Sequence, residues 1–219
     1  MRTPGRGRRA RIRSKMPETY HHGDLRQALV DASIELLSKQ GPGAVTMRAL
    51  ARKLGVSHAA PKHHFSDKAA LLGEVASRGF SALAQAMREA MDAAGNQPLP
   101  RLMAGGVAYV CFAGTHPEHF RLMFGVGHGG RPIEASVRAR EAYEVLVDAV
   151  KRVLEPQGAD SERIRVATVA ARALVHGLAV LWLDGELRTR RDPRGSSQEL
   201  ESIARAVTAL VATALENQQ

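Results

Sequence analysis

Residues 46–68 read Thr46-Met47-Arg48-Ala49-Leu50-Ala51-Arg52-Lys53-Leu54-Gly55-Val56-Ser57-His58-Ala59-Ala60-Pro61-Lys62-His63-His64-Phe65-Ser66-Asp67-Lys68, and the fold follows from the lengths within this stretch. Thr46 is a good N-cap for a short helix through Leu54, Gly55 can take the left-handed conformation that ends it, and Ser57 opens a second segment reaching about His64. Ala49 and Ala51 are small enough for close helix packing, while Leu50, Leu54 and Val56 fill the contact. Two short helices about a tight turn have the dimensions of a helix-turn-helix, whose second helix enters the major groove of DNA. A generic pair of core helices has the same spacing, so lengths alone leave both readings open. Pro61 disfavours helix at Ala60 and removes an N–H, so the second helix is expected to be short or bent.

Outward from this stretch, helical periodicity continues and strand alternation is not convincing anywhere. Leu25, Ala28, Leu29, Ala32, Ile34, Leu36 and Leu37 keep mostly to i, i+3, i+4 spacing over 24–39, and Gly41-Pro42-Gly43 stops that helix. Ser66 is placed to cap a long helix over 67–92. Further helices are expected over 99–115, 117–124, 133–154, 161–184 and 197–216, giving an all-α chain of about nine helices with no internal repeat.

Charge divides the chain. Of 219 residues, 31 are Lys or Arg and 22 Asp or Glu, a formal charge of +9. Residues 1–15 hold seven bases and no acid, with Pro4, Gly5 and Gly7 breaking any helix, and read as a disordered basic arm. Residues 16–70 are net +2 and residues 71–219 net zero, so a polyanionic partner such as nucleic acid is expected to meet the N-terminal third. The domains are therefore a basic arm over 1–19, a DNA-binding domain over 20–70 and a helical domain over 71–219. A single cysteine, Cys111, excludes an intramolecular disulfide and thiolate zinc sites of the finger type. The polar N-terminus is unlike a secretory signal, and the longest apolar runs carry Arg172, His176 or Asp184, so a cytoplasmic protein without a membrane span is expected.

The stretch Tyr20-His21-His22-Gly23-Asp24-Leu25-Arg26 together with residues 46–68 resembles the DNA-binding domain of the tetracycline-repressor (TetR) family, densely over 20–72. The Tyr-His-His-Gly opening and the Ser-His-Ala-Ala-Pro segment are similar to one subgroup of it. A weaker likeness to that subgroup's regulatory domain lies in His116-Pro117, Phe120-Arg121-Leu122-Met123-Phe124-Gly125 and His176-Gly177-Leu178-Ala179. The resemblance implies a homodimeric transcription regulator, usually a repressor, that leaves a double-stranded operator when a small-molecule effector enters the C-terminal domain. Carried onto this chain, it implies phosphate contacts from Thr46 and Arg48, groove contacts from Ser57, His58, Ala59, Lys62 and His63, and backbone contacts from His64 and Lys68. The family usually has Tyr where Lys62 stands; Lys62 suits either a phosphate or guanine O6 and N7. Phe65 is expected to pack the domain.

In the C-terminal domain, Phe80, Met87, Met103, Phe112 and Phe120 join Met123, Phe124 and Trp182 as bulky soft residues on successive helices. They line an apolar cavity, with Tyr109, His116 or His176 as polar handles, or simply fill the core; the pattern fits both. The neutral charge argues against a polyanionic effector. Leu200, Ile203, Val207, Leu210 and Ala214 follow a 3, 4, 3, 4 stripe behind a Ser196/Glu199 capping box and are expected to make the dimer with helix 161–184. Gly125-Val126-Gly127-His128-Gly129-Gly130 satisfies G-x-G-x-x-G but lacks the preceding strand that a dinucleotide site needs, so it reads as a loop. His116, Glu118 and His119 have no further ligand singled out for a metal, no catalytic set is visible, and no cofactor is expected. The alternative to an effector-released repressor is a ligand-independent, weakly specific DNA-coating protein.

Overall fold

The computed structural model describes residues 25–125, 137–187 and 196–216. The basic arm, the Tyr20–Asp24 opening and all but the first glycine of the Gly125–Gly130 run lie outside the described residues. In chain order the elements are α1 (Leu25–Gln40), α2 (Met47–Leu54), a 3-10 turn (Ala60–His63), α3 (Lys68–Ala93), α4 (Pro98–Thr115), α5 (Pro117–Phe124), α6 (Val137–Leu154), a second 3-10 turn (Glu155–Gln157), α7 (Ser161–Asp184) and α8 (Ser197–Glu216). Among the described residues there is no strand, so the all-α expectation stands.

Local chemistry sets most of these boundaries. Thr46 caps α2, its Oγ1 accepting from the Ala49 N–H at 3.1 Å, and Gly55 ends the helix at φ 69°, a left-handed conformation that costs glycine little. The long α3 is capped by Asp67 rather than by Ser66: Asp67 Oδ1 accepts from the Ala70 N–H at 2.8 Å, while the Ser66 hydroxyl donates to Asp67. A carboxylate there is the stronger acceptor for N–H groups at a helix start. Ser196 Oγ accepts from the Glu199 N–H at 3.1 Å, which is half of the expected capping box.

One core runs through the described residues from Leu25 to Leu215. At its N-terminal end Leu29, Leu50, Phe65 and Leu71 bring α1, α2, the 3-10 turn and the start of α3 together, all buried. In the C-terminal part α4 is the central helix, packed on α3, α5, α6, α7 and α8. Its glycines allow that crowding: a Cβ on Gly106 would lie 2.8 Å from Thr208 Cγ2, and one on Gly114 would collide with the Leu200 side chain. The short α5 touches α1, α3 and α4 and so joins the two parts.

Candidate nucleic-acid interface and cavity

Beyond Gly55 the chain turns through Ser57, His58 and Ala59 before a single 3-10 turn over Ala60–His63. The helix expected from Ser57 to about His64 is therefore reduced to that turn. Pro61 is the cause: it has no N–H to give, its ring disfavours α conformation at Ala60, and it is buried. Ser57 Oγ still caps the segment, accepting from the Ala60 N–H at 3.2 Å. Ser57, His58, Ala59, Lys62 and His63 are all exposed, whereas His64 is half-buried. Phe65 is buried, with the Arg26 guanidinium 4.8 Å above its ring, which fits the packing role expected of it.

The preceding helix α2 also presents cations. Arg48 is exposed, and so is Arg52 one helical turn on, which sequence reasoning passed over although i, i+4 spacing puts both on one side. Neither has an ion-pair partner among the described residues, in contrast to Lys53, which pairs with Glu35 at 3.0 Å. Lys39 and Lys53 together hold the Glu35 carboxyl below its ordinary value. Thr46 is exposed but its oxygen is engaged as the cap. Lys68 is half-buried, and its ammonium donates to the Pro42 carbonyl at 3.0 Å, tying the first turn of α3 to the loop after α1. Two more links fix α1 along α3: Arg26 to Glu74 and Arg78 to Asp31, both 3.0 Å. Three links thus hold α1 and the loop after it against the first half of α3.

Farther along α3, Phe80, Leu83 and Met87 form one wall of a cavity of about 60 Å³. Met103, Gly106 and Tyr109 of α4 face it, α6 contributes Ala142 and Tyr143, α7 Arg172 and Val175, and α8 Thr208 and Ala212; Phe124 of α5 sits at its edge. Phe80, Met87, Met103, Tyr109 and Phe124 were expected at a cavity and are there. Phe112, His116, Phe120, Met123, His176 and Trp182 are not among its lining residues. Phe120 and Met123 are fully buried in the core, Phe112 stacks on exposed His116 with ring centroids 4.8 Å apart, and Trp182 is core as well. His176 stands behind the wall, its Nδ1 2.9 Å from the Tyr109 hydroxyl. Tyr143, Arg172 and Thr208 were missed. The charge of Arg172 inside an apolar helix was the visible signal.

The dimer stripe on α8 also divides. Leu200 is 2% exposed within one chain and packs against Gly114 of α4, so it belongs to the intramolecular core. Ile203 and Val207 are partly buried against that core, whereas Leu210 is 70% exposed and Ala214 is exposed. On α7, Val166 and Val169 are 52% and 50% exposed, with Leu174, Val180 and Leu181 also open. By length and composition α7 is apolar enough to cross a membrane. Here, however, Ala171, Val175, Leu178 and Trp182 on its inner side are buried in the core.

Other groups are already engaged. His119 Nε2–H donates to the Val75 carbonyl at 2.7 Å, and burial holds this imidazole below its ordinary 6.5. Glu118 pairs with Arg121 at 2.9 Å, and among the described residues no three His, Cys, Asp or Glu gather as a metal site. Cys111 is half-buried against the core, which pushes its thiol up.

Two family models match the chain: "Bacterial regulatory proteins, tetR family" over residues 29–75 and "Tetracyclin repressor-like, C-terminal domain" over residues 102–210. The chain is 27% identical over 161 residues to the uncharacterized HTH-type transcriptional regulator YobS of Bacillus subtilis (strain 168), covering 73% of this chain and 79% of that one. It is 44% identical over 57 residues to the HTH-type transcriptional regulator BetI of Rhizobium meliloti (strain 1021), spanning 26% of this chain and 28% of that one. A solved structure of a protein of unknown function from Rhodococcus sp. RHA1 superposes with a TM-score of 0.72 at 32% identity, covering 90% of this chain and 98% of that chain.

Proposed function

The chain belongs to the tetracycline-repressor family of DNA-binding transcriptional regulators, and from that premise we propose that it represses from a palindromic operator and is released when a small molecule fills the α3–α4–α6–α7–α8 cavity. The observation that carries this reading is the position of α3. Its first turn follows residues 57–64 after a link of three residues and is tied to the loop after α1, and its Phe80, Leu83 and Met87 form a cavity wall. A ligand that shifts this wall therefore shifts the reading head, and it does so only by its differential affinity for the two positions. In a dimer the two heads must stand roughly 34 to 36 Å apart, one turn of DNA, to meet both half-sites. Such a regulator works in the cytoplasm, where its DNA is.

The partner copy is proposed to dock on α7 and α8, where the large apolar side chains Val166, Val169, Val180, Leu181 and Leu210 are exposed; exposed apolar surface of this kind marks an association surface. On the DNA, His58, Lys62 and His63 read bases, while Arg48, Arg52 and the N–H groups at the start of α2 hold phosphates. Lys62 sorts itself by experiment. If Lys62→Ala loses affinity evenly across a panel of operator variants, it holds a phosphate; a loss confined to guanine at one position, of about 1 to 3 kcal/mol, makes it a base reader. If substitutions at His58, Lys62 and His63 all leave binding unchanged, residues 57–64 are not the reading segment.

A further inference from the structure

We propose that the cavity takes an apolar molecule ending in a single carboxylate, and that Arg172 receives that carboxylate; this rests on the cavity being the effector site. Four arginines are half-buried among the described residues: Arg78, Arg101, Arg163 and Arg172. Arg78 donates to Asp31 at 3.0 Å, Arg101 to Asp92 at 2.7 Å and to the Gly95 carbonyl at 3.0 Å, and Arg163 to Gln157 at 3.4 Å. Arg172 alone of the four has no hydrogen bond or ion pair among the described residues. Its guanidinium lies 5.4 Å from the ring centroid of Tyr143, and both side chains line the cavity. The ring face offsets part of the loss of water around the cation but accepts none of its N–H groups. A half-buried guanidinium without a protein acceptor has given up part of its water for no bond in return, and a planar carboxylate satisfies it with two parallel bonds.

The rest of the lining limits the ligand to one charge and an apolar body. Among the described residues, Arg172 is the only charged side chain on the cavity wall. The Thr208 hydroxyl is turned to the Ala204 carbonyl at 2.8 Å, and the Tyr109 hydroxyl is engaged with His176. The Tyr143 hydroxyl has no hydrogen bond among the described residues. A phosphate ester or a polycarboxylate would bring a charge with nothing to meet it. The remainder of the wall is Phe, Leu, Met, Val, Ala and Gly. At about 60 Å³ the space is well below the roughly 300 Å³ at which ordinary ligand sites begin, so Met87 and Met103 must change rotamer and the α3 wall must give as the ligand enters.

The test is calorimetric titration of the full-length protein with decanoate and with decanol, which share a tail and differ in the head. Wild type should bind decanoate roughly 10- to 100-fold more tightly than decanol, the range expected of a hydrogen bond to a charged group. Arg172→Met should abolish that preference while leaving decanol affinity within a few-fold, and Arg172→Lys, which keeps the charge but not the fork, should retain an intermediate preference. Equal affinities in wild type, a preference that survives in Arg172→Met, or binding of neither probe at millimolar concentration would overturn the proposal. Operator release, followed in the same samples, separates this inference from the one beneath it. Release by decanol as readily as by decanoate keeps the effector reading and removes the carboxylate. Arg172-dependent decanoate binding without release keeps the carboxylate site and removes the effector reading.

Discussion

Leu200 and Leu210 stand ten residues apart on the same amphipathic helix, and truncating each to alanine should disable a different property. Leu210 is 70% exposed in one chain. Removing three carbons from a fully buried leucine forfeits about 0.8 kcal/mol each. Scaled by the exposed share, covering this side chain in a dimer contributes about 1.7 kcal/mol per chain. A two-fold interface repeats the loss, so Leu210→Ala should weaken dimerisation by about 3.4 kcal/mol, roughly 300-fold in Kd. Sedimentation equilibrium over a concentration series reads that change, and denaturant unfolding of the monomer should stay within about 0.5 kcal/mol of wild type. Leu200, 2% exposed and seated on Gly114, should behave oppositely. Leu200→Ala should cost about 2 to 5 kcal/mol of folding stability through transfer and cavity terms, with the dimer Kd little changed once the protein is folded. An unaltered dimer in Leu210→Ala, or a monomeric but fully stable Leu200→Ala, would refute the division of this helix.

Three further outcomes are expected. His119 is neutral when buried and its imidazole sits below 6.5, so below pH 6.5 the unfolded chain binds more protons than the folded one. Stability is fully present above pH 6.5 and falls as pH drops through the folded value; His119→Gln, which can still donate to the Val75 carbonyl, should flatten that fall in a pH series of melting temperatures. Lys68→Met should lower stability by about 1 to 3 kcal/mol by losing the bond to Pro42, and should weaken binding to all DNA sequences evenly, which titration of matched and random duplexes would show. Deleting residues 1–15, with their seven bases, should reduce the slope of log K against log salt by roughly 3 without changing sequence preference; an unchanged slope would assign those bases no phosphate contact.

What the sequence makes legible here is what neighbouring residues decide among themselves. The Thr46 cap, the Gly55 stop and the shortening at Pro61 are contests within a few residues, and each appears in the structure where composition puts it. Ser66 and Asp67 are both good caps, and only the geometry of the first turn picks Asp67. The α8 stripe misled for a geometric reason: at 100° per residue, Leu210 lies roughly 80° round the helix from Leu200, enough to leave one face and join another. Which face turns inward is then settled by Gly106 and Gly114 on α4, distant in sequence.

The cavity shows a second limit. A search for bulky soft side chains finds Phe120, Met123 and Trp182, which fill the core because they are bulky. The space opens where side chains are short, at Gly106, Ala139, Ala142, Ala171 and Ala212. Small residues on helices are common, so no local pattern distinguishes those that border a void. Arg172 was conspicuous as a charge in an apolar run, but its neighbour Tyr143 comes from α6, and only the fold brings the two together.

The central claim, that residues 57–64 read an operator as a paired head, is tested most directly by selection from a random duplex library at physiological salt, using the full-length protein. Specific reading should enrich a palindrome whose half-sites lie about one helical turn apart, bound at least roughly 10³-fold more tightly than random DNA. The enriched bases at one half-site position should change when His58, Lys62 or His63 is substituted. Binding that coats all duplexes with no enriched sequence, and a salt slope that accounts for the whole affinity, would contradict it.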